Sequence, residues 1–272
     1  MKNPDLRTLR KGREYLRTFE VWPLFIVLLL VLAGPFLYGQ DPYAQFLDKA
    51  LQSPSWAHWA GTDQYGRDVM ARILTGGRIT IGTSFLIVTA AALGGTFWGS
   101  LAGYKGGLWD WSVVRVGNLL LSLPSLVLAI ALTALLGGGL DKVVYIFIVL
   151  YIPKYARLGR SLTRQIKDLP FIHIAKMNGH STWHILRYYI GPSIQQTIIT
   201  TAALDMGVVL MELASLSFLG LGAMPPTPEW GSMLSAGRSV MQLAPWLVLG
   251  PGAAIVVTVG AIHLAGEHWR NR

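Results

Sequence analysis

Apolar residues run in long blocks along this chain, separated by short polar and basic stretches, and the block lengths set the first expectation. Val21 to Tyr38, Ile79 to Ala102, Val116 to Leu136, Ile194 to Leu219 and Trp246 to Ala265 approach or exceed the roughly 20 apolar residues that cross a hydrocarbon core. Val143 to Ile152 is shorter. It nears spanning length by continuing to Leu158, with Lys154 and Arg157 snorkelling to the interface. The pattern predicts an all-α polytopic membrane protein with six transmembrane helices, over 21–38, 79–102, 116–136, 143–158, 194–219 and 246–265.

Charge placement makes the short sixth block necessary. Lys2, Arg7, Arg10, Lys11, Arg13 and Arg17 crowd the amino-terminal tail, and Lys154, Arg157, Arg160, Arg164, Lys167, Lys176 and Arg187 crowd the segment before Pro192. Both belong in the cytoplasm by the positive-inside rule, so an even number of crossings separates them. The resulting plan is a cytoplasmic tail (1–20), a transmembrane domain (21–268) with a cytoplasmic loop over 159–193, and a cytoplasmic end (269–272). The net charge of +9 then reads as a topology signal, and no nucleic-acid partner is expected.

With 52% hydrophobic and 14% charged residues the chain suits lipid rather than water. Its first apolar block is longer than a signal-peptide core and lacks a clear small-residue cleavage site, so it reads as a retained span. Cysteine is absent, which removes disulfides and thiolate ligands.

The loop "FIHIAKMNGHSTWHILRYYIGPSI" (Phe171 to Ile194) carries three of the six histidines. Pro170 suits an early helical position, Gly179 a helix end and Ser181 the cap of a second short helix that stops near Pro192. The break separates His173 from His180 and His184, so the i,i+4 geometry of a helical metal pair is not expected and no metal site is assigned. A surface that docks a partner is the better reading.

Asp205 and Glu212 are the only carboxylates well inside a predicted span, seven residues apart on one helical face. Two readings stay open. They line a translocation path and favour a cationic or metal-chelate solute, or they hydrogen-bond neighbouring helices. Asp63, Arg67 and Asp68 likewise meet an outside partner or satisfy turns and the start of a helix. Pro225 to Gly231 reads as a rigid turn with Trp230 at the membrane interface. No phosphate loop and no nucleophile–base set is present, so the chain is not expected to be an enzyme.

Four stretches carry a resemblance. Gly179, Trp183, Ile185, Ile190 and Pro192 resemble the Glu-Ala-Ala loop of bacterial ABC-importer membrane subunits; His173 and Ile174 replace Glu and Ala, while Ala175 is retained. "GTDQYGRDVMARILTGGRITIG" (Gly61 to Gly82), "AGYKGGLWDW" and "SFLGLGAMPPTPEWGSML" (Ser217 to Leu234) resemble the second permease subunit of the dipeptide, oligopeptide and nickel importer family.

That resemblance implies the type I permease fold in a bacterial cytoplasmic (inner) membrane. It also implies a second homologous permease, two cytoplasmic ABC ATPases that use ATP and magnesium, and an extracytoplasmic solute-binding protein. His173, Ala175, Gly179, Trp183 and Pro192 would form the ATPase-coupling loop; Asp63, Arg67 and Asp68 would face the binding protein. No cofactor is expected in this chain. "ALDMGVVLMELASLSFLGLG" looks closer to the nickel and metal-chelate branch, with peptides as the alternative solute. A secondary transporter or channel is the rival class, and the internal repeats it would show are not evident.

Overall fold

A computed structural model describes residues 21–270; the predicted tail 1–20 and residues 271–272 lie outside the described part. Among the described residues the order is α1 (Trp22–Tyr38), a 3-10 turn (Leu47–Lys49), α2 (Val69–Lys105), α3 (Gly107–Leu120), α4 (Ser125–Leu136) and α5 (Leu140–Ile166). Then follow α6 (Pro170–Met177), α7 (Thr182–Ile185), a π turn (Leu186–Ile190), α8 (Gly191–Phe218), α9 (Trp230–Arg238) and α10 (Trp246–Arg270). No strand occurs among them beyond one bridge, Thr62 to Asp68.

The helices depart from the predicted spans in ways that prolines explain. Val69–Lys105, Thr182–Phe218 and Trp246–His268 are each long and apolar enough to cross a membrane. The predicted span 116–136 is instead two helices, α3 and α4, bent by 82°. Pro124 forces Leu123 out of the helical region, which breaks the run there. The predicted stop near Pro192 does not occur. The chain passes through it by widening one turn: the Gly191 amide donates to the Leu186 carbonyl, five residues back, and Ser193 Oγ donates to the Tyr189 carbonyl at 2.7 Å. A π turn accommodates the missing proline N–H without ending the helix. Span two begins at Val69 rather than Ile79, and span four runs from Leu140 to Ile166 rather than over 143–158.

The chain divides into two compact units, Met1–Gly82 with Met206–Arg272, and Thr83–Asp205. In the first, Val27 and Val31 of α1 join Val69, Ile81, Leu210, Trp230, Met233, Leu247 and Ile262 in one core. Pro35 cannot donate to the Val31 carbonyl one turn back; Arg78 Nε donates to it instead at 3.0 Å, and its guanidinium lies 4.5 Å from the centre of the Phe36 ring.

In the second unit a glycine row lets two backbones touch. A Cβ on Gly95, Gly99 or Gly103 of α2 would stand 2.5, 2.0 or 2.7 Å from the carbonyl oxygens of Ile152, Ala156 and Arg160 on α5. Both rows step by four residues, so they form facing ridges, the small-residue packing that brings membrane helices together. Tyr155 is fully buried beside this crossing.

Candidate functional site

The loop between α5 and α8 is built by three local devices. Pro170 opens α6, where its missing N–H costs nothing. The helix closes with His180 N–H donating to the Ala175 carbonyl and Gly179 N–H to the Lys176 carbonyl, the paired bonds of a Schellman turn, with Gly179 at φ +77°. Ser181 Oγ then accepts from the His184 amide and caps α7. Ile172, Ala175 and Ile185 are buried beneath, while Met177 (86%), Ile174 (58%) and Trp183 (56%) are exposed.

Within this loop, His173 is exposed, with Nδ1 3.3 Å from the Leu169 carbonyl oxygen. His180 and His184 lie with ring centres 4.3 Å apart, and Tyr189 Oη is 3.3 Å from His180 Nδ1. His173, His180 and His184 do not share one helix, as expected, although two of the rings still meet. The cap turns the chain so that residue 180 faces residue 184 from outside the helix. No group of three or more His, Cys, Asp or Glu able to hold a metal ion occurs among the described residues. Lys176 Nζ stands over the Tyr104 ring at 5.1 Å, and Trp183 packs edge-on against Phe97. Pro192 is exposed at the start of α8.

Asp205 lies midway along α8 and is buried, 5% exposed. Its Oδ1 accepts from Lys154 Nζ at 2.7 Å and its Oδ2 from Tyr155 Oη at 2.8 Å. Both partners come from the middle of α5. Lys154 therefore does not simply snorkel to an interface; it neutralises a carboxylate. Glu212 is half-buried on the same helix.

Asp63, Arg67 and Asp68 are buried in the turn that starts α2. Asp63 Oδ1 accepts from the Tyr65 and Arg67 amides, and its Oδ2 from Arg67 Nε at 2.6 Å. Asp68 accepts from the Ala71 amide at 2.8 Å, capping α2, and also binds Tyr38 Oη and His58 Nδ1. These are the bonds of a fixed turn and a helix cap.

Trp230, expected at the interface, is 1% exposed in the core, and its Nε1 donates to the Ile73 carbonyl at 2.8 Å. Beside it Glu229 caps α9: Oε1 accepts from the Gly231 amide and Thr80 Oγ1, and Oε2 from the Ser232 amide. Burial pushes this carboxyl above the usual carboxylate range, and the two amides pull part of the way back. The sequence offered Lys154 only as a snorkelling charge and gave no role to Tyr155 or Glu229. A helix-capping acid before Trp-Gly-Ser was a readable signal for Glu229, whereas nothing local pointed to the other two.

Long apolar helices joined by a capped two-helix loop define a multi-pass membrane protein. The family model described as binding-protein-dependent transport system inner membrane component matches residues 95–267. Curated relatives agree over nearly the whole chain. The chain is 39% identical to the glutathione transport system permease protein GsiD of Pectobacterium atrosepticum, covering 91% of this chain and 83% of that protein. It is 37% identical to the dipeptide transport system permease protein DppC of Alkalihalophilus pseudofirmus, covering 90% and 80%. It is 36% identical to the probable D,D-dipeptide transport system permease protein DdpC of Escherichia coli, covering 91% and 83%. The chain belongs to the permease family of dipeptide and oligopeptide ABC importers, has the type I permease fold, and is an inner-membrane subunit.

Proposed function

We propose that this chain forms half of the translocation path of a peptide importer. A second homologous permease completes the path, two cytoplasmic ABC ATPases drive it with ATP and magnesium, and an extracytoplasmic binding protein delivers the peptide. Six crossings, by α1, α2, the bent pair α3–α4, α5, α7 with α8, and α10, put both termini in the cytoplasm. The basic excess over residues 160–187 supports that orientation. Peptide is favoured because the relatives above are named for glutathione, dipeptides and D,D-dipeptides, and the lean toward nickel or a metal chelate has no support among them.

Energy coupling rests on one observation: Met177, Ile174 and Trp183 stand exposed around the rigid Gly179 elbow in an otherwise basic loop. Exposed apolar side chains held on a fixed frame mark a contact surface. Here the surface fits a cleft on the ATPase, with Gly179 as the hinge-free corner between α6 and α7.

Reconstituting the complex with its binding protein tests both halves of the reading. Wild-type vesicles should take up di- and tripeptides and not nickel. Gly179→Val places a β-branched residue at φ +77° and should abolish uptake and peptide-stimulated ATP hydrolysis while the subunit still inserts. Nickel uptake without peptide uptake would refute the solute assignment; normal coupling in the variant would refute the docking assignment.

A further inference from the structure

Lys154 stands out among the membrane-depth charges because one side of it is paired and the other is open. Asp205 is enclosed, with its side chain 7% exposed, whereas the Lys154 side chain is 45% exposed. An ammonium has three donors. One goes to Asp205 Oδ1, and the Tyr151 ring lies below at 6.0 Å. The remaining donors point away from the carboxylate, on a face that Arg157, Ser161 and Arg164, all exposed, continue toward the carboxyl end of α5.

A half-exposed charge at the midpoint of a membrane helix is not left against lipid; such groups face a bundle interior or an aqueous cavity. On α8 the exposed Thr197 and half-exposed Thr201 precede Asp205 at four-residue steps, so a polar stripe leads to the pair on this helix too. What this surface presents is therefore cationic, and the buried Asp205 serves to hold the cation in place. The suggestion that Asp205 offers negative charge to a cationic solute does not fit an acid that is enclosed and already neutralised.

We infer that Lys154 receives the carboxylate of the passing solute, and, resting on the peptide reading above, that this group is the carboxyl terminus of a peptide. Asp205 and Tyr155 are its positioning residues. The requirement is a specific one: an ammonium at that place, and not merely a well-packed helix pair.

The absence of cysteine makes the test direct. Lys154→Cys combined with Asp205→Asn carries a single thiol in this subunit and leaves no carboxylate without its cation. The complete importer, reconstituted with its binding protein, is treated with aminoethyl methanethiosulfonate, which rebuilds a lysine-like cation, or with the sulfonatoethyl reagent, which installs an anion. Both reagents should label residue 154. Untreated, the variant should take up the dipeptide Ala-Ala about ten- to a hundredfold more slowly than wild type, the loss expected for one charge-assisted hydrogen bond. The aminoethyl adduct should restore most of that uptake and the sulfonate adduct none.

Failure to label would place the ammonium against the second permease and overturn the inference, as would equal recovery with both reagents or unchanged uptake before treatment. Asp205→Asn alone keeps the cation and gives an independent reading. At normal assembly its Ala-Ala uptake should fall measurably but less than that of the double variant, because the amide oxygen still accepts from Lys154 while the ion pair is lost, and a loss as deep as that of the double variant would overturn the assignment. Failure of the peptide reading looks different: wild-type vesicles would then take up no peptide at all. Failure of the Lys154 assignment alone leaves wild-type peptide uptake intact.

Discussion

Asp205 and Glu229 are both buried carboxylates, 5% and 0% exposed, and they are held by different means. Asp205 sits in the middle of α8, where every neighbouring amide is already committed to the helix ladder, so its acceptors are filled by Lys154 and Tyr155 from α5. Glu229 sits at the start of α9, where the free amides of Gly231 and Ser232 lie within two and three residues. The contrast shows that an acid at a helix terminus can be satisfied locally, while an acid in mid-helix depends on a second element arriving in register. Loss of a partner should therefore reach further at Asp205.

The sharpest break of this comparison is Asp205→Leu, which leaves the Lys154 ammonium and the Tyr155 hydroxyl without their acceptor. A buried pair broken on one side costs about 3–5 kcal/mol, reduced here by the exposure of Lys154. The yield of assembled complex should fall severalfold, measured by size-exclusion chromatography after solubilisation. Removing Glu229 by Glu229→Ala should cost less, about 1–2 kcal/mol, as the loss of a cap does.

A smaller effect tests whether the α2–α5 crossing holds the Asp205 site. Gly95→Leu sets a side chain where even a Cβ would be 2.5 Å from the Ile152 oxygen and 2.7 Å from Tyr155 Cβ. Overpacking of this kind costs about 1–3 kcal/mol. It should lower peptide uptake per complex along with stability, because Tyr155 is pushed from Asp205. Glu229 has no part in that contact, so the pH dependence of stability that Glu229 contributes should be unchanged in Gly95→Leu.

The smallest effect belongs to Glu229→Gln. Because burial raises the folded-state pKa above the ordinary 4.5, the folded protein holds its proton more tightly than the unfolded chain. The associated stability is fully present below about pH 4.5 and declines as pH rises through the raised value. Thermal unfolding of the wild-type complex, followed from about pH 4 to about pH 8, should show this decline and Glu229→Gln should lack its contribution. The Gln variant itself should lose about 1 kcal/mol at acid pH, since its amide group faces the Ser232 N–H. Identical profiles would mean that the cap amides offset burial completely.

Much of the architecture was readable because it depends on local chemistry. Pro170, Gly179 and Ser181 each act on the nearest turn, and the structure places all three as their types require. Long apolar blocks likewise declared helices in lipid. Prolines inside apolar blocks were harder to read, for one residue type had two outcomes: Pro124 breaks a span, while Pro192 is passed by a widened turn. Trp230 was misread for a related reason, since an aromatic near a span end suits an interface equally well as a core.

By itself the sequence determined the solvent, the helical class and the design of the loop between α5 and α8, because apolar length, proline, glycine and a capping serine act over a turn or two. Tertiary structure decided which charges are enclosed and which are exposed. Asp205 and Lys154 are 51 residues apart in the chain. Only the approach of α5 and α8 turns an acid that fitted either a path lining or a helix–helix hydrogen bond into the buried support of an exposed cation. Coulomb attraction and hydrogen bonding act through space, at 2.7 Å here, and no spacing along the chain encodes that distance.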